Sequence, residues 1–198
     1  DMDLGNALTP KVLAERMRDL EDAKAWVVDA NLSEDALAFI FSNTQSNIPV
    51  FAAPVSVTKA VKLLPWLSEI TLLKPNRIEA AALAGRPEDS PVEDLSRALH
   101  DLGVKRVVIS QGRDGVWGSD ADGDVFAQPI FPVSIQSVTG AGDTLMAALV
   151  DPYLAGLPLS EALPWAQAAA SLALQSSRAI HPGLCEAAVR SEQEAHKP

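Results

Sequence analysis

The chain has 198 residues, 47% of them hydrophobic and 21% charged, a composition of ordinary soluble proteins with enough apolar material for one substantial core. Its formal charge of −10 argues against general affinity for nucleic acid or anionic membrane, both of which need clustered Lys and Arg. A single cysteine, Cys185, excludes an internal disulfide and a Cys-based zinc cluster and fits a reducing cytoplasm, no apolar run reaches the roughly 18 residues of a membrane span, and the opening DMDLGNALTP lacks the order of a signal peptide.

The segment TPKVLAERMRDLEDA predicts a helix with Thr9 as N-cap and Pro10 at its first position. AWVVDA then reads as a strand, and SEDALAFIFSNTQ as a helix capped by Ser33. The alternation continues through IPVFAAPV and SVTKAVKLLPWL, through ITLLKPN and RIEAAALAG, and through SPVEDLSRALHDLG and RVVISQG. Parallel neighbours need helical crossovers, so this order predicts an α/β fold with a mainly parallel sheet covered on both faces. From Gly115 to Gln136 the Asp-Gly turn chemistry predicts a hairpin and one further strand. Two helices follow, over about 141–155 and 160–176, and Pro152 should end or kink the first.

Ligands of open α/β sheets gather where strands hand over to helices, so the loop SVTGAGDTLMAALV carries most of the functional signal. Gly140, Ala141 and Gly142 precede a helix N-terminus whose unpaired N–H groups and dipole favour an anion, and the missing side chains let it approach. Asp143, in the same turn, can accept a proton from a hydroxyl, and an anion cradle beside a base suits phosphoryl transfer. Taken alone, the four residues fit equally well a tight turn with Asp143 capping the helix. A dinucleotide fingerprint would need glycine at Leu145, and a Walker A loop needs GKS or GKT, which the chain lacks. The three histidines, His100, His181 and His196, have no ligand spacing.

SVTGAGDTLMAAL resembles the C-terminal signature of the PfkB (ribokinase-like) family of carbohydrate and nucleoside kinases. TLLKPNRIEAAAL resembles the family's Asn-x-x-Glu segment, VVISQGRDGVW its nucleotide-binding strand and turn, and the three stand in the family's order. DANLSEDAL and IPVFAAPVSVTKAVK are most similar to the branch that acts on pseudouridine. The resemblance implies a ribokinase-like three-layer fold and an ATP-dependent kinase acting on the 5′-hydroxyl of a nucleoside. Asp143 resembles the base, Gly140, Ala141 and Gly142 the anion hole, and Asn76 and Glu79 the pair that organises Mg²⁺ through water. Ser110, Gly112 and Gly115 resemble the nucleotide loop, and Gln167 stands where relatives place a polar residue beside adenine. Without the other motifs, Asn76 and Glu79 read as a helix capping box sooner than as a metal-organising pair.

Three departures accompany the likeness. Ser137-Val138 stand where many members carry Asp-Thr, which weakens the case for a potassium site; Ala53 replaces an acid; and Pro152 falls in a helix that members leave uninterrupted. The family's upstream sugar-binding motifs and β-lid have no counterpart in the 198 residues, so the chain is expected to be the C-terminal part of a kinase, with the N-terminal portion and lid missing. A non-catalytic nucleotide-binding fragment, or a kinase for another sugar or a vitamin alcohol, stays open on the same motifs. The expected partner is a small-molecule nucleoside or sugar, with neither nucleic acid nor membrane; homodimerisation is left open.

Overall fold

In the computed structural model, residues 7–20, 22–45 and 47–197 are described, and the chain divides into two compact units, Asp1–Val107 and Val108–Pro198. In the first unit, α1 (Pro10–Arg16) starts as expected, with the Thr9 hydroxyl accepting from the Val12 N–H at 3.4 Å. The α-helix is shorter than its periodicity predicts, because Met17–Leu20 tighten into a 3₁₀ turn. Strand β1 (Trp26–Asp29) leads into α2 (Glu34–Asn43), whose N-cap Ser33 accepts from the Ala36 N–H at 3.2 Å. Strand β2 (Val50–Ala53) is followed by a single α-turn, α3 (Val57–Ala60), and a 3₁₀ segment, Val61–Glu69. The sequence predicts one continuous helix here; Pro65 within it supplies no N–H and crowds the preceding turn, which breaks the α register. Trp66 of that segment stacks on Phe41 of α2, ring centroids 5.2 Å apart.

Strand β3 (Leu72–Leu73) is only two residues long, both fully buried, though the Thr71 and Lys74 N–H groups extend its bonding to the Val50 and Ala52 carbonyls. Helix α4 (Arg77–Ala84) ends at Gly85 in the left-handed region, φ 62°, and α5 (Val92–Asp101) buries Leu95 and Leu99. Strand β4 (Arg106–Ser110) pairs with β3 through Arg106 and Val107. The pairs β1–β2, β2–β3 and β3–β4 are all parallel, as the alternation requires. Phe51, Leu37, Leu63, Ile70 and Leu72 are among the large side chains sealed in this unit's core.

In the second unit the last residues of β4 turn through a 3₁₀ segment, Gly112–Asp114, into β5 (Val116–Asp120), which pairs antiparallel with β6 (Val125–Gln128). The hairpin is the one read from the Asp-Gly chemistry. Strand order along the sheet is β1-β2-β3-β4-β5-β6, so the six-stranded sheet is mixed and the fold is α/β. The further strand expected before Gln136 does not form: Pro129 and Pro132 cannot donate to a ladder, and the segment instead sends the Gln136 and Ser137 N–H groups to the Leu174 carbonyl.

Helix α6 (Ala141–Leu154) closes two residues after Pro152, which therefore sits in its last turn. Helix α7 (Leu159–Leu174) lies against β5, and a Cβ on Gly118 would come within 2.5 Å of the Leu163 Cδ1 atom and 2.8 Å of the Leu159 Cδ2 atom. Glycine at 118 is thus what lets the helix approach the strand. Helix α8 (Glu186–Ala195) adds Val189 to a cluster with Phe131, Ala168 and Ala169. Among the described residues, no helix is long and apolar enough to cross a membrane.

Candidate active site

The chain enters α6 through Gly140, its N-cap, in the left-handed region at φ 84°. A Cβ there would fall 1.8 Å from the Ala179 carbonyl oxygen, so this glycine is demanded by the chain lying against it as well as by its backbone angle. The cap has no side-chain hydrogen bond. The Ala141 N–H reaches the Val138 carbonyl at 3.4 Å and the Thr144 N–H bonds the Gly140 carbonyl at 2.8 Å, while those of Gly142 and Asp143 have no acceptor among the described residues. Two parallel donors at the positive end of a 14-residue helix therefore remain unspent.

Asp143 occupies the third position of that helix, exposed, and its carboxylate makes no hydrogen bond or ion pair among the described residues. The capping alternative is thereby decided at the level of contacts: the cap is Gly140, and the Asp143 oxygens are free.

Six of the residues singled out in the sequence, Ser110, Gly112, Gly115, Ala141, Gly142 and Gln167, line one cavity of about 350 Å³ in the second unit. Ser110 ends β4. The Gln111 N–H bonds the Gly115 carbonyl at 2.9 Å and the Gly115 N–H bonds that of Gly112 at 3.2 Å, which closes the turn beyond it. Gly112 and Gly115 both have positive φ, 61° and 86°. A Cβ on Gly115 would lie 2.2 Å from the Gln128 carbonyl oxygen, whereas one on Gly112 would meet nothing within 4 Å. Close approach at Gly115 is therefore to the chain itself, and the open side belongs to Gly112. Gln167 is only 3% exposed, yet its carboxamide has just a 3.5 Å contact to the Ser171 hydroxyl, at the outer limit of a hydrogen bond. A buried amide with nearly all its capacity unspent is costly unless something polar meets it.

The sequence reading missed the rest of the wall. Ile135 and Val138, 55% and 73% exposed, line the cavity together with Leu145, Ala170 and Leu174, and Arg113 joins them from the 3₁₀ turn. Ile135 went unnoticed because its segment, Gly115 to Gln136, reads as a hairpin and a strand, whose side chains would have been assigned to a core, and Val138 was read only as a departure from the family's Asp-Thr. Arg113 was visible within VVISQGRDGVW but carries no signal separating it from a solvated surface residue.

Asn76 and Glu79 belong to the first unit, at the start of α4. They form both arms of a capping box: the Asn76 Oδ1 atom accepts from the Glu79 N–H and the Glu79 Oε2 atom from the Asn76 N–H, each at 2.9 Å. Glu79 is 6% exposed. The structural reading of this pair is therefore correct as geometry, and it leaves the other carboxylate oxygen of Glu79 to any further partner. Among the described residues no group of three or more His, Cys, Asp or Glu side chains could hold a metal ion.

Residues 4–185 match the pfkB family carbohydrate kinase model. The chain is 40% identical to pseudouridine kinase of Escherichia coli strain K12 over 96% of its own length and 61% of the relative's. A solved carbohydrate kinase from Agrobacterium tumefaciens superimposes with a TM-score of 0.80 at 30% identity, over 98% of this chain and 62% of the other. Arabidopsis thaliana ribokinase, solved in complex with ribose and ATP, gives 0.78 at 26% identity over 91% and 59%. The chain thus spans about three-fifths of the length of the proteins it matches.

Proposed function

This chain belongs to the pfkB family of carbohydrate kinases, and on that footing we propose that it carries the nucleotide-binding and proton-accepting part of an ATP-dependent kinase that phosphorylates the 5′-hydroxyl of pseudouridine. The observation that supports this most is the cavity in which Ser110, Gly112, Gly115, Ala141, Gly142 and Gln167 meet, beside two unspent N–H groups and an unpartnered carboxylate. The acceptor is supported by the likeness to the Escherichia coli enzyme and the nucleotide by the ribokinase solved with ribose and ATP.

In this reading the apolar wall of Ile135, Val138 and Leu174 receives the purine face, and Gln167 spends its amide on the base edge. Ser110 and the open side of Gly112 lie along the nucleotide. The GAG turn aims the Gly142 and Asp143 N–H groups at the phosphoryl oxygens, where charge builds during transfer; Gly140 holds the turn's shape. An Oδ atom of Asp143 takes the proton of the acceptor hydroxyl as that oxygen bonds to the γ-phosphorus and the bond to the β,γ-bridging oxygen breaks, releasing ADP. Mg²⁺, when bound, neutralises phosphate charge; Asn76 and the free oxygen of Glu79 would hold it through water.

The test is ATP-dependent phosphoryl transfer to a panel of pseudouridine, uridine, ribose and fructose. A phosphorylated product from pseudouridine that disappears in Asp143→Asn is expected. Transfer to another member of the panel would reassign the acceptor, and nucleotide binding without product from any of them would leave a binding module and overturn the kinase reading.

A further inference from the structure

The second unit is acidic, with ten Asp and Glu against four Lys and Arg, yet among the described residues the cavity lining contains a single charged side chain and it is cationic. That side chain is Arg113. It is exposed, and its guanidinium makes no hydrogen bond or ion pair among the described residues, not even with the neighbouring Asp114. Its backbone is not free to wander. The turn is tied by the bonds from the Gln111, Asp114 and Gly115 N–H groups, and Gly115 is pinned under the Gln128 carbonyl. A fixed backbone with an unspent five-donor fork, opening on the same cavity as the α6 N-terminus, is the arrangement that meets a phosphate chain.

We infer that Arg113 is the charge-selecting residue of this cavity, contacting the polyphosphate of a nucleoside triphosphate and setting its preference over less phosphorylated ligands. The inference rests on the nucleotide reading above and adds a residue to it. An anion approaching so acidic a unit meets net repulsion, and the two N–H groups of the α6 terminus contribute only partial charges. Among the described residues, Arg113 supplies the one full positive charge at the cavity. Stacking on the base is the other use of an arginine beside an apolar slot, and it makes the opposite prediction, because its effect would not depend on the number of phosphates.

Calorimetric titration of the chain and of Arg113→Gln with adenosine, AMP, ADP and ATP separates them. For Arg113→Gln, adenosine affinity stays within about twofold and ATP affinity falls by about tenfold or more, with AMP and ADP between. Arg113→Lys recovers part of the loss, since it restores the charge without the fork, and added salt narrows the gap between parent and glutamine variant. Because Arg113 touches no described partner, all three proteins should melt together. Equal losses for adenosine and ATP, or no loss for either, would overturn the proposal while leaving the nucleotide site standing. A parent chain that binds neither adenosine nor ATP would overturn the nucleotide reading, and Arg113 with it.

Discussion

Substituting Gly140 by alanine tests whether the GAG turn is shaped by the chain that lies against it. The new Cβ would sit 1.8 Å from the Ala179 oxygen, 2.7 Å from its carbonyl carbon and 3.0 Å from its Cα, all backbone atoms that cannot swing aside. The left-handed φ of 84° costs a non-glycine residue about 1–2 kcal/mol, and forcing the 179 segment away adds about 1–3 kcal/mol, for a total near 3 kcal/mol. Gly112→Ala is the matched control: its φ of 61° carries the same conformational penalty, but nothing lies within 4 Å. Part of that penalty is offset because alanine also restricts the unfolded chain, so the control should lose about 1 kcal/mol. At about 2–4 °C per kcal/mol, Gly140→Ala should melt roughly 6–12 °C below the parent and Gly112→Ala only about 2–4 °C below it. Differential scanning calorimetry reads both. Equal shifts would refute the reasoning, because the only difference claimed between the two sites is the Ala179 carbonyl.

Asp143→Asn should reduce turnover by roughly 10²–10⁴-fold while leaving ATP affinity within a few-fold, since it removes the proton acceptor and keeps the turn; single-turnover kinetics with calorimetric binding would check both. Glu79→Ala should lower stability by about 1 kcal/mol in urea melts through loss of one arm of the capping box, whereas Glu79→Gln keeps that arm and should instead raise the Mg²⁺ concentration needed for half-maximal transfer. Gly118→Ala should cost about 1–3 kcal/mol in the same melts by pushing Leu159 and Leu163 off β5; an unchanged midpoint would mean that α7 is not seated on the strand as closely as described.

The parallel half of the fold was legible because each of its elements announces itself locally, in apolar runs such as WVVD and VFAA and in caps such as Thr9, Ser33 and Asn76. Prolines account for much of what was misread. Pro65 turned an expected helix into a 3₁₀ segment, and Pro129 and Pro132 kept an expected strand out of the sheet, in both cases by removing a donor that the periodicity alone assumes. At the candidate site the chain's glycines were found but their reasons only partly so. Gly115 and Gly140 are required by the Gln128 and Ala179 carbonyls, which are distant in sequence and have no local signature. Val138 and Ile135 were lost for the same reason: which apolar residues of an irregular segment line a cavity is decided by tertiary contacts.

Helix α7 has a further consequence for what the cavity can accept. Around Gln167 the residues are Ala166, Ala168, Ala169 and Ala170, side chains with no rotamers to exchange, and Ala166, Ala168 and Ala169 are all but sealed from solvent. Gln167 and Ala170 line the cavity from this stretch, and the alanines beside them leave little that could repack, with Leu159 and Leu163 of the same helix locked over Gly118. Ile135 and Val138, which line the cavity from the irregular segment before α6, are branched, exposed and free of any strand ladder. Steric discrimination among ligands is therefore one-sided: a substituent facing Gln167 meets a rigid template, while one facing Val138 meets a yielding edge. Analogues enlarged at that edge should be the ones the site tolerates.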